Sequence, residues 1–177
     1  MTANPSAVKN LTTTALMAAV ICVLGPLSLP IGPVPVSLTT LAIYITMYVL
    51  DVKRGTLACL IYVLLGLFGL PVFSGFSGGA AKLLGPTGGY IIGYIPMAFL
   101  IGLVIDRYWK NKLVCIVAME AATWVLYLLG TAWLAHQTGM TFQAALGAGV
   151  LPFIVVDLCK IVIAAFLGPV LKMRIRF

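Results

Sequence analysis

Residues 10–50, 55–81 and 83–105 each run without one charged side chain. A helix that crosses the hydrocarbon of a bilayer needs about 20 predominantly apolar residues, so runs of this length constrain the chain more than any motif does. Composition points the same way. Of 177 residues 62% are hydrophobic and 8% charged, and the mean hydropathy is +1.15. That leaves too little polar surface to cover a soluble globule of this size. The chain reads as an all-α integral membrane protein, a single domain over residues 1–177 embedded in a lipid bilayer.

Proline and glycine divide the runs. Gly25, Pro26, Pro30, Gly32, Pro33 and Pro35 crowd the middle of the first, which predicts two helices around a turn. Six spans are predicted: 11–29, 36–50, 56–70, 86–105, 113–135 and 147–171. Gly69 and Pro71 end the third, and residues 136–139 break the chain after the fifth. The second and third are short for a crossing unless they tilt or borrow loop residues.

Orientation follows from the basic residues. Lys9, Lys53, Arg54, Arg107, Lys110, Lys112, Lys172, Arg174 and Arg176 fall on one side of the predicted spans, and the opposite loops hold only Lys82. By the positive-inside rule both termini are cytoplasmic, in the cell membrane of a prokaryote. The first span is kept as a helix rather than a signal peptide, because no A-x-A site follows and Ile21 precedes Cys22. The net charge of +7 therefore marks topology. No basic patch is interleaved with exposed aromatics, so nucleic acid is not an expected partner. Cys22, Cys59, Cys115 and Cys159 stand singly, with no CxxC spacing, and read as buried free thiols. His136 is the only histidine, so a metal site is not expected, nor is any cofactor.

Two stretches carry polar chemistry. The first, SGFSGGAAKLLGPTGGYIIGY (74–94), is a glycine-rich outer loop between the third and fourth predicted spans. Glycine allows positive φ and close backbone approach to a ligand, so the loop reads either as a lid over a cavity or as a plain connector. Lys82 is followed by Leu83 and no G-x-x-x-x-G-K-[ST] occurs, so it is not a Walker A loop. The second stretch, PFIVVDLCKIVIAA (152–165), places Asp157 and Lys160 three apart on one helix face, about 15 Å from Gly147. Charges at that depth cost a few kcal/mol and face the protein interior. They form either a structural ion pair or a site that offers an acceptor and a donor to a polar ligand.

The remaining candidates say less. Glu120 is expected to snorkel or to pair with a basic loop residue. Tyr44, Tyr48, Tyr90, Tyr94, Tyr127 and Trp133 read as pocket lining, packing or interfacial belts. Ala15 and Ala19, with Thr14 and Ala18 beside them, allow close helix contact within the bundle or with another membrane protein. A membrane enzyme would need a nucleophile and base, or a metal, and no such constellation stands out.

The stretches GLPVFSGFSGGAAKLLGPTGGYIIGY (69–94) and PFIVVDLCKIVIAA (152–165), supported by PVPVSLTTLA (33–42) and YLLGTAWLA (127–135), resemble the signature regions of the BioY family, the biotin-binding S components of energy-coupling-factor transporters. The resemblance spans essentially the whole chain. It departs at Lys82, where an uncharged residue is expected, and at Val155 and Val156 ahead of Asp157. It implies a six-helix S-component bundle that binds biotin on the outer side and delivers it inward, with no enzymatic activity of its own. Its implied partners are a transmembrane T component, docked on Ala15 and Ala19, and two ABC-type ATPases. On this resemblance Asp157 accepts from a ureido N–H and Lys160 donates to the ureido carbonyl or the carboxylate of biotin. Gly78, Gly79 and Tyr90 are the expected contacts of the closed loop, and Lys82 is a second cation for the carboxylate. The alternatives are an S component for another small vitamin and a structural or channel-like subunit.

Overall fold

The computed structural model describes residues 5–30 and 34–175. Gly32 and Pro33 of the expected turn, and Arg176 of the C-terminal basic cluster, lie outside the described residues. In chain order the elements are α1 (Pro5–Leu24), β1 (Ser28–Leu29), β2 (Val36–Ser37), α2 (Thr39–Val49), α3 (Val52–Leu67), α4 (Ala80–Leu84), α5 (Gly88–Tyr108), α6 (Lys112–Thr138), α7 (Phe142–Gly149) and α8 (Leu151–Arg174). Among the described residues four helices, α1, α5, α6 and α8, are long and apolar enough to cross a membrane, while α2 and α3 are shorter.

The first helix stops five residues earlier than expected, at Leu24 rather than Leu29. Gly25 N–H still reaches Ile21 O at 2.8 Å, but Pro26 disfavours helical backbone in the residue before it. A side chain at Gly25 would also meet the Val72 carbonyl, 2.6 Å from an ideal Cβ. The chain then forms a short antiparallel hairpin, Ser28 opposite Ser37 and Leu29 opposite Val36, which the proline content concealed. The last predicted span is likewise corrected. Its bulk is α8, and only residues 147–149 at its start belong to a separate helix, α7, parted from α8 at Val150. The Thr141 hydroxyl caps α7 by accepting from Ala144 N–H at 3.3 Å. Pro152, which has no N–H to continue that ladder, begins a new helix instead.

The glycine-rich segment is ordered rather than loose. Phe73 and Ser77 exchange backbone hydrogen bonds of 2.9 and 3.3 Å, and the one-turn helix α4 follows. Gly75 and Gly79 take φ of 73° and 90°, where L side chains are strained. Across the bundle α5 packs most extensively on α6, and α2 lies against α8. Gly130 lets the α5–α6 seam close, because the Tyr90 ring fills the space a Cβ would need.

At the end of the bundle that carries most of the basic residues, polar contacts tie the elements together. Asp51 caps α3 by accepting from Arg54 N–H at 2.8 Å and pairs with the Arg54 side chain at 2.7 Å. Arg54 also donates to Asn10 of α1 at 2.6 Å. Asp106 of α5 accepts from Val52 N–H at 2.9 Å and lies 3.9 Å from Lys172. Partial burial pushes the Asp51 carboxyl up, but the hydrogen bonds and charge of Arg54 outweigh it and hold the group below its ordinary range.

Candidate ligand-binding site

Asp157 and Lys160 sit on the first turns of α8, which begins at Leu151, so the carboxylate lies roughly 9 Å from the helix start rather than the expected 15 Å. Both residues are buried, each 5% exposed. The Lys160 ammonium donates to Asp157 Oδ1 at 2.7 Å, to the Ser37 carbonyl at 2.7 Å and to the Thr40 hydroxyl at 3.2 Å. Thr40 in turn donates to Asp157 Oδ1 at 3.2 Å, and the Tyr127 hydroxyl donates to Oδ2 at 2.6 Å. All three donors of the ammonium and both carboxylate oxygens are thereby engaged. Such a network is what permits an ion pair to persist out of water, since an uncompensated partner would cost about 3–5 kcal/mol.

The pair faces a cavity of about 40 Å3 whose walls include Pro35, Tyr90, Tyr94, Tyr127, Phe153 and Gly149. The Tyr90 hydroxyl donates to the Gly149 carbonyl at 3.0 Å and lies 3.3 Å from the Thr131 hydroxyl. That anchors one wall to the α7–α8 break. Small-molecule pockets run from about 300 to 1,000 Å3, so a vitamin-sized ligand enters only if part of the wall moves. The β1–β2 hairpin contributes Ser37 to that wall. Its Ser37 carbonyl holds one Lys160 donor at 2.7 Å.

The structure therefore brings Asp157, Lys160 and Tyr90 to one cavity. Gly78 and Gly79 lie elsewhere. A Cβ on Gly78 would collide with the Leu70 carbonyl, and Gly79 N–H donates to Gly66 O at 2.7 Å. Lys82 lines a separate cavity together with Ser28, Pro35 and Ser74. Ala15 and Ala19 are exposed on α1, whereas Thr14 and Ala18 point inward. An apolar groove of about 420 Å3 runs past Leu16, Ala19, Val20 and Val23.

Two readings are corrected. Glu120 forms no ion pair with a basic loop residue among the described residues; it accepts from Trp124 Nε1 at 3.1 Å, one turn along α6 toward Thr138. Of the four thiols Cys59 and Cys115 are buried, while Cys22 is half-buried and Cys159 is exposed on the outer face of α8. Sequence reasoning missed Ser37 and Thr40 and undervalued Tyr127. They come from the hairpin, α2 and α6, at separations of 117 and 30 residues from Asp157 for Thr40 and Tyr127. No local spacing rule links them. The one available signal was a polar SLTT run (37–40) opening an otherwise apolar helix.

Comparison with known proteins places these features in context. The family model described as the BioY family matches residues 1–177. The chain is 40% identical over 165 residues to the biotin transporter BioY of Thermotoga maritima, covering 93% of this chain and 96% of that protein. It is 41% identical over 160 residues to the probable biotin transporter BioY of Pyrococcus horikoshii, covering 90% and 94%. Among solved structures it is similar to the S component for biotin from an ECF-type ABC transporter, with a TM-score of 0.89, 32% identity, and coverage of 98% of this chain and 95% of that one.

Proposed function

Because this chain belongs to the BioY family, we propose that it is the biotin-binding S component of an energy-coupling-factor transporter, a multi-pass membrane subunit that captures the vitamin and passes it across the cell membrane. The observation that carries the assignment of the site is the buried Asp157–Lys160 pair, held by Thr40 and Tyr127 and turned toward a cavity with aromatic walls. Biotin presents a ureido ring with two N–H donors and one carbonyl, an apolar thiophane and tail, and a terminal carboxylate. Asp157 accepts from a ureido N–H. Lys160 releases the Ser37 carbonyl and donates to a biotin oxygen, while Tyr90, Tyr94 and Phe153 pack against the rings.

The same proposal covers the finer architecture. Six crossings, with α2 and α3 tilted or lengthened by their flanks, put both termini in the cytoplasm, and the glycine-rich segment with Gly78 and Gly79 roofs the outer end. Opening then exchanges the internal bonds of hairpin and roof for bonds to the ligand. A T component docks on the exposed Ala15 and Ala19 stripe, where small residues allow close helix approach. The ATP-driven step belongs to two ATPase partners, consistent with a sequence that contains no Walker A motif.

The test is thermal unfolding of the detergent-solubilised protein with increasing biotin. A binder is stabilised by RT ln(1 + [L]/Kd), about 2.7 kcal/mol at a hundredfold excess over Kd, so a saturable rise in Tm is expected. An unchanged Tm at millimolar biotin would leave the charged pair with a packing role only.

A further inference from the structure

At the basic end of the bundle, residues of α1, α3, α5 and α8 surround a recess of about 410 Å3. Its wall carries three cations, Lys9, Arg54 and Lys172, against two carboxylates, Asp51 and Asp106. Lys9, Asn10 and Asp106 are exposed, so the recess opens to the surface. The α2–α3 corner and the end of α8 add Val49, Leu50 and Ile175, which make part of the wall apolar. None of these residues lines the cavity of Asp157 and Lys160.

Both carboxylates have donors of their own. Asp51 accepts from Arg54 N–H at 2.8 Å and from Arg54 Nε at 2.7 Å, and Asp106 accepts from Val52 N–H at 2.9 Å. Arg54 Nη1 donates to the Asn10 side-chain oxygen at 2.6 Å. Arg54 Nη2 and the Asn10 amide N–H groups are then left to donate, with no partner among the described residues. Lys172 stands 3.9 Å from Asp106 Oδ1, beyond hydrogen-bond reach. Its ammonium also lies 5.9 Å from the centre of the Trp109 ring, at the end of α5. Tryptophan at a helix end marks the headgroup level of a bilayer, and basic pockets between membrane helices take anionic lipid headgroups.

We propose that this recess holds the phosphate of an anionic phospholipid headgroup, with Arg54 and Asn10 donating to its oxygens and Lys9 and Lys172 supplying the balancing charge. The apolar wall receives the glycerol end of the lipid. Helix α1 packs on α2 and α3, so a phosphate shared by Lys9, Asn10 and Lys172 fastens the start of α1 to α8 as well. A free phosphate ion offers the same oxygens, but it gains nothing from Val49, Leu50 and Ile175 and has no acyl chains to keep it at this depth.

The experiment follows thermal unfolding of the detergent-solubilised protein, without biotin, as phosphatidylglycerol, phosphatidylcholine of the same acyl chains, or inorganic phosphate is added. Phosphatidylglycerol gives a saturable rise in Tm, and phosphatidylcholine does not. Lys9→Gln and Lys172→Gln each weaken phosphatidylglycerol binding by about fivefold, the scale of one basic side chain at an anionic membrane surface. Lys9→Arg with Lys172→Arg binds it as the parent does. Lys110 lies over Trp109 at the same end but outside the recess, and Lys110→Gln leaves the affinity unchanged. Equal stabilisation by the two lipids overturns the site. So does an equal loss in Lys110→Gln, which would mean general attraction between the basic end and an anionic surface. Stabilisation by inorganic phosphate as strong as that by the lipid, and lost in the same variants, overturns the lipid as occupant in favour of a free anion. If Lys172→Gln does not fold, Lys9→Gln, at an exposed position on α1, decides alone.

Discussion

Asp157 accepts from Lys160, Thr40 and Tyr127 at once, so its charge is stabilised by groups from α2, α6 and α8 that converge on one carboxylate. Replacing it by Asn keeps an acceptor but removes the charge. Asp157→Asn is expected to weaken biotin binding by about 1.5–3 kcal/mol, the range for a charged hydrogen bond, in calorimetric titration. Lys160→Met acts differently, since it leaves the carboxylate buried without its cation. It should lower stability by about 3–5 kcal/mol, seen as a fall in Tm in detergent with no ligand added, with part of the loss restored by Asp157→Asn in the same chain. The pairing of Asp157 with Lys160 was legible from their spacing and depth. Their partners were not, because Ser37, Thr40 and Tyr127 are joined to them only by the fold, and a threonine or tyrosine in a membrane helix has several other uses.

At the scale of elements, the seams are set by glycine and the ends by proline and caps. Gly130→Ala puts a methyl group into the space of the Tyr90 ring, and overpacking of this kind costs about 1–3 kcal/mol. A lower Tm is expected, together with weaker biotin binding, because Tyr90 lines the cavity. The caps can be tested by pH. The Asp51 carboxyl is held below its ordinary range by Arg54, so its contribution to stability is present above the pH at which a free aspartate titrates, about 4. It is lost as pH falls through the folded value. Unfolding followed between pH 7 and 3 should show an acid limb that is shallower in Asp51→Asn. Hydrophobic runs and proline positions made the long helices readable, yet two boundaries moved for local reasons. Pro26 stops α1 early, and Pro152 restarts the chain as α8 after the Thr141-capped α7. The β1–β2 hairpin was hidden because two-residue strands among prolines leave no periodicity to detect.

For the whole molecule, the polar groups divide by depth. Basic residues gather at one end, the one buried ion pair among the described residues lies beside the hairpin, and α1 presents Ala15 and Ala19 outward. If that stripe is the docking face for a T component, Ala15→Leu with Ala19→Leu should abolish copurification with the coexpressed partner subunits and leave biotin affinity unchanged, since neither alanine lines the site cavity. Loss of both properties together would instead place the stripe in the fold of the subunit itself. The central claim concerns where the vitamin sits. The most direct measurement is the set of distances from bound biotin to Asp157 and Lys160 in an experimentally determined structure of the complex. A ureido nitrogen within about 3.2 Å of the Asp157 carboxylate, with Lys160 turned from the Ser37 carbonyl to a biotin oxygen, is the expected result; biotin bound elsewhere, with the Lys160–Ser37 bond intact, would contradict it.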